Sequence, residues 1–127
     1  MICVLDASAA VEITLGKPGA IDLINRLMPA DKVIAPTIFL AETANTFRKY
    51  AQGGFLSKEK AFDLYKTAIH LVDKFTDIAE ISDEAFHEAI RLNHPVYDML
   101  YLVLARRNGA KLLTCDKKLR LLFDSLL

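Results

Sequence analysis

Residues 2–10 read ICVLDASAA. Four apolar residues run into the carboxylate of Asp6, and Ala7, Ser8, Ala9 and Ala10 follow at once. An apolar, partly β-branched run that meets small residues suits a strand turning straight into a helix. KVIAP (32–36) is a second buried-strand candidate, too short for periodicity alone to decide. FTDIAEIS (75–82) alternates apolar and polar residues and reads as a strand, and KLLTC (111–115) after Gly109 reads as another.

Helical patterns fill the intervals. Residues 19–28 (GAIDLINRLM) have helical spacing. Pro36 sits where a first-turn proline belongs, opening a helix over 36–52 that Gly53-Gly54 stops. Ser57 can cap a helix over 58–74 with Phe62, Tyr65, Ile69 and Val72 on one stripe. Ser82, with Asp83 and Glu84 in its first turn, opens another, and residues 97–107 and a final run from Asp116 complete the set. Strands alternating with helices predict an α/β domain with a mainly parallel sheet, a single domain over residues 1–127.

Composition is that of an ordered globule, 53% hydrophobic and 25% charged, without the roughly 18–20 consecutive apolar residues of a membrane span. Asp6, Glu12 and the lack of a basic leader argue against a signal peptide, so a cytoplasmic protein is expected. Cys3 and Cys115 match no zinc spacing and read as buried free thiols. His70, His87 and His94 form no metal-binding pair. Net charge is zero, but residues 106–127 hold Arg106, Arg107, Lys111, Lys117, Lys118 and Arg120 against Asp116 and Asp124. A polyanion contact and a solvated helix face explain that basic end equally well.

The chemistry lies in the acids. In an open α/β sheet ligands bind beyond the carboxyl ends of the strands. Asp6 ends the first strand and Asp116 follows the last, so both belong at that edge. Asp98 stands in front of seven consecutive apolar residues in HPVYDMLYLVLA (94–105), in the first turn of a helix that begins at the same edge. Glu42 has Ile38, Phe39, Asn45 and Thr46 at helical neighbour spacings, so no local cation can pair with it. Taken singly, Asp6 could be a turn former, Asp98 a helix-dipole residue and Asp116 an N-cap. Four acids at one edge would repel one another unless a cation sits among them. Hard oxygen donors without His or Cys select Mg²⁺ or Mn²⁺, which suggests metal-assisted phosphate-ester hydrolysis. Ser8, Asn45 and Thr114 lie close in sequence to these acids and could orient them.

VLDASA (4–9), AETANTF (41–47), YDMLYLVLA (97–105) and LLTCD (112–116), in this order, resemble the PIN-domain nucleases, most closely the small VapC-type toxins. The resemblance implies a single PIN-like domain with a mainly parallel four- to five-stranded sheet flanked by helices. It implies an Mg²⁺- or Mn²⁺-dependent ribonuclease whose metal-binding and catalytic acids are Asp6, Glu42, Asp98 and Asp116, with Ser8 and Thr114 as their polar neighbours. It further implies a homodimer, an RNA substrate and a small VapB-like antitoxin. Arg48, Lys49, Arg106, Arg107, Lys117 and Lys118 are candidates for contacts to the RNA backbone. Cys115 stands where the family more often has a small residue, and the short last strand of the family's sheet is expected to be reduced or missing after LRLLFDSLL. A strand-end Asp also begins the haloacid-dehalogenase motif, but that chemistry needs a second Asp two residues on, where this chain has Ser8. A housekeeping RNA-processing nuclease and a PIN-like module that binds RNA or protein without cutting remain as alternatives.

Overall fold

The computed structural model describes residues 1–126. Four strands form one sheet: β1 (Ile2–Leu5), β2 (Lys32–Pro36), β3 (Lys74–Thr76) and β4 (Lys111–Leu113), in the order β3-β2-β1-β4. Every pairing is parallel. The expected class, a parallel α/β domain, is the one observed, with four strands among the described residues and none after β4. Cys3, Val4 and Leu5 are fully enclosed, as the unbroken apolar run of a central parallel strand requires.

The helices are α1 (Ala7–Leu15), α2 (Ala20–Leu27), α3 (Ile38–Gln52), α4 (Lys58–Ile69), α5 (Ser82–Leu92), α6 (Val96–Arg107) and α7 (Lys117–Ser125). The chain steps from β1 outward through β2 to β3, then returns across the sheet to place β4 on the free side of β1. Strand order therefore reverses between β1 and β4. A crevice opens at such a switch point beyond the carboxyl ends of the two strands. Leu5 pairs with Leu113 there, so Asp6 and Thr114 are the next residues on adjacent strands.

Helix α6 packs against β1, β2 and β4. Met99 through Ala105 are all buried, the outcome expected of a helix apolar all round. Only its termini reach water.

Four local expectations need correction. FTDIAEIS is not one strand: β3 ends at Thr76, and the Asp77 carboxylate accepts from Ala79 N at 2.9 Å, capping a 3-10 turn over Ile78–Glu80. A short acidic side chain offers the backbone a local partner that competes with the ladder. Pro36 is the last residue of β2 rather than the first turn of a helix. It lies at the strand end, where a missing N–H is tolerated, and Thr37 N continues the pairing to Thr76 O at 2.9 Å. Helix α4 stops at Ile69, and its inner stripe runs through Ala61 and Ala68, leaving Phe62 59% exposed. Two alanines let the helix approach closely, which turns the bulky neighbour outward. Cys115 is exposed, because the turn after β4 carries it out of the sheet. Both cysteines are free, and burial pushes the Cys3 thiol up to about 11.

If α6 is the core element on which the sheet is built, truncating it should be costly. Leu102, 1% exposed, tests this: Leu102→Ala is expected to lose about 2–5 kcal/mol in urea unfolding, the range for emptying a tightly packed site.

Candidate active site

Asp6 begins the site. Its backbone N–H donates to Leu113 O at 3.0 Å, locking β1 to β4 as the chain leaves the sheet. Its backbone is extended, and one side-chain oxygen accepts from Ala9 N at 3.0 Å as the N-cap of α1. The same oxygen accepts from Ser8 Oγ at 2.7 Å. The other accepts from the Thr114 hydroxyl. Asp6 is thus a cap and also a buried carboxylate held on both oxygens, only 6% exposed.

Ser8 and Thr114 extend the lattice. Cys115 N donates to Ser8 Oγ at 3.1 Å and Asp116 N donates to Thr114 Oγ1 at 3.0 Å. The turn out of β4 is thereby fastened to the start of α1. Asp116 caps α7, one oxygen accepting from Leu119 N at 3.0 Å, and its side chain stands at the exposed rim.

Glu42 and Asp98 come from the helices. Glu42 is half-buried on α3 and accepts from the Tyr101 hydroxyl of α6 at 2.7 Å. Asp98, in the first turn of α6, meets His94 Nε2 at 2.8 Å. His94 is buried because Asn93 takes a left-handed conformation (φ 50°) that ends α5 and turns the chain inward.

The charges of these acids reach one another. Burial pushes the Asp6 carboxyl above its ordinary value; hydrogen bonds from Thr114, Ser8 and Ala9 oppose this, and the charge of Asp98 adds to it. Burial likewise raises Glu42, the Tyr101 hydrogen bond opposes, and the charges of Asp6 and Asp98 push it further up. No Lys or Arg pairs with Asp6, Glu42, Asp98 or Asp116 among the described residues, and Asp98 alone has a histidine. An all-oxygen donor set with uncompensated charge has the chemistry that suits Mg²⁺ or Mn²⁺. Among the described residues no three His, Cys, Asp or Glu side chains converge on one point, so the fit rests on donor chemistry and charge.

The remaining candidates separate. Ser8 and Thr114 touch Asp6 directly, whereas Asn45 is exposed and accepts from Arg48 Nε at 3.0 Å. Lys117 and Lys118 are exposed in the first turn of α7, beside Asp116. Arg48 and Lys49 are exposed further along α3. Arg106 and Arg107 lie at the far end of α6 from Asp98. Arg106 donates to Glu84 and Glu88 of α5 at 2.7 and 3.0 Å, and Arg107 to Glu84 at 3.2 Å. Their guanidinium groups join two helices rather than face the acids.

Two residues that touch the acids were not among the candidates. His94 sits four residues before Asp98 and is the one residue at helical neighbour spacing able to become positive, so its pairing was legible in the sequence. Tyr101 reaches Glu42 across 59 positions, and only the packing of α6 on α3 reveals it.

The raised Glu42 has a consequence for stability. A carboxyl held above its unfolded value favours the fold while protonated, and that advantage is lost as pH rises through its folded-state value. Glutamine is neutral throughout and can still accept from Tyr101. In EDTA, Glu42→Gln is expected to melt a few degrees above the wild type at neutral pH, with the gap closing as the solution is acidified and Glu42 takes up its proton. Calorimetry across that range checks the sign.

Comparison with known proteins agrees with this architecture. The PIN domain family matches residues 3–122. The chain is 28% identical over 128 residues to Ribonuclease VapC3 of Pyrobaculum aerophilum, covering 99% of this chain and 98% of that protein. It is 30% identical over 116 residues to Ribonuclease VapC12 of Mycobacterium tuberculosis, covering 91% of this chain and 88% of the relative. The crystal structure of PAE2754 from Pyrobaculum aerophilum shares the fold, with a TM-score of 0.75 at 22% identity over 94% of this chain and 82% of that one. A match across nearly the whole parallel sheet and its acid-bearing edge makes this chain a member of the PIN domain family.

Proposed function

We propose that this protein is a divalent-metal-dependent endoribonuclease, the toxin of a VapBC-type pair that a small VapB-like antitoxin silences. The observation that carries the reading is that the charge of Asp98 reaches Asp6, and those of Asp6 and Asp98 reach Glu42, with no Lys or Arg partner for any of the three among the described residues. The relatives named Ribonuclease VapC support the substrate class.

Asp6, Glu42, Asp98 and Asp116 would hold Mg²⁺ or Mn²⁺, which supplies a water of lowered pKa and offsets charge developing on the phosphate. The chain's own groups do the rest. Ser8 and Thr114 fix both oxygens of Asp6, and His94 steadies Asp98. Donors of this kind orient ligand carboxylates and raise affinity. Lys117 and Lys118, exposed beside Asp116, are placed to attract the phosphate backbone of a strand entering the crevice without reading bases. Arg48 and Lys49 extend the same attraction along α3. The protein works in the cytoplasm as a homodimer on this reading. No helix among the described residues is long and apolar enough to cross a membrane.

The test incubates purified protein with RNA in Mg²⁺ or Mn²⁺, beside EDTA and an Asp98→Asn variant. Cleavage is expected with either metal, none in EDTA, and less than about 1% of the rate for the variant, since losing a metal ligand forfeits several kcal/mol of transition-state stabilisation. Cleavage that survives EDTA or the substitution contradicts the metal mechanism. Binding without cleavage of any RNA favours the non-cutting module, and a single processed cellular RNA without growth arrest favours the housekeeping nuclease.

A further inference from the structure

Tyr101 is the largest fully enclosed side chain in the protein, 2% exposed, in the middle of a helix whose other buried positions are aliphatic, Met or Ala. A phenolic hydroxyl brought into such a core must be satisfied, and a phenylalanine would fill the same space without that cost. Here the hydroxyl is spent on the acids. It donates to Glu42 Oε1 at 2.7 Å. That hydrogen bond links α6, which supplies Asp98, to α3, which supplies Glu42.

Among the described residues Glu42 has no other partner of this kind. Asp6 is held by two hydroxyls and a backbone N–H, Asp98 by His94, and Asp116 by its own helix cap. The half-buried Glu42 receives one side-chain hydrogen bond, and Tyr101 makes it.

We propose that Tyr101 is a positioning residue for the divalent-cation site: its hydroxyl holds Glu42 in the orientation from which that carboxylate ligates the ion. The proposal rests on the metal-dependent reading of the site given above. Tyr101 touches neither metal nor RNA and acts through Glu42.

The experiment measures Mn²⁺ affinity of the wild type, Tyr101→Phe, Glu42→Ala and the double variant, by calorimetry or by the spin signal of free Mn²⁺. No substrate is needed. Each affinity is counted per folded molecule, below that variant's melting temperature. Tyr101→Phe is expected to bind Mn²⁺ about 10- to 100-fold more weakly, the loss typical of removing a hydrogen bond to a metal ligand. In the Glu42→Ala background the same change is expected to have no further effect, because the group through which Tyr101 acts is gone. Wild-type affinity in Tyr101→Phe, with or without a lowered melting temperature, overturns the proposal and makes the tyrosine a packing residue. An equal loss in both backgrounds overturns it too, since Tyr101 would then act elsewhere than through Glu42. A wild type that takes up no Mn²⁺ overturns the metal reading of the site and this proposal with it.

Discussion

Carboxylates are costly to enclose, and this fold encloses Asp6 at the carboxyl edge of its sheet, within reach of the charge of Asp98. Asp6 ends the innermost strand and is held by the hydroxyls of Ser8 and Thr114, which lie 106 positions apart in the chain. Neutral donors of this kind make a buried charge tolerable without neutralising it. The charge of Asp98 therefore still acts on Asp6, and the charges of Asp6 and Asp98 act on Glu42. Much of the rest of the domain can be understood as what it takes to hold like charges together. The parallel register of β1 with β4 delivers Thr114, the cap of α1 delivers Ser8, and a helix buried from Met99 to Ala105 carries both Asp98 and the tyrosine that donates to Glu42.

Rigidity and chemistry are supplied by the same helix. Because α6 buries every residue from Met99 to Ala105, its first turn has little freedom, and Asp98 inherits that immobility. Ligand carboxylates on packed elements need less reorganisation than ones on loops. The exposed ends of α6 do different work. Its last turn is tied to α5 through Arg106 and Arg107, exposed ion pairs that fix an angle more than they add stability.

How much of this was legible in the residues alone depends on the range of the interaction. The strand-to-helix turn at Asp6, the burial of α6 and the cap at Asp116 are written in adjacent residues, and the alternation of elements implies the parallel sheet. Glu42 stood out by elimination, since no neighbour on its own helix could pair with it, and its partner proved to be on another helix. The misread segments share a cause: local pattern competed with tertiary context. FTDIAEIS alternates like a strand, yet one carboxylate turns its backbone after Thr76. Phe62 looks like core, yet two alanines bring α4 closer on the adjacent face. The pairing of Arg106 and Arg107 with Glu84 and Glu88 likewise shows only in the packing of α5 on α6.

The central claim is that the three coupled acids share a divalent cation, and anomalous diffraction tests it most directly. A crystal soaked in Mn²⁺ and measured near the manganese edge should show its strongest peak at the β1/β4 crevice, within bonding distance of carboxylate oxygens from Asp6, Glu42 and Asp98. A saturating soak that leaves that crevice empty, or that places the ion only at surface carboxylates elsewhere, would contradict the account.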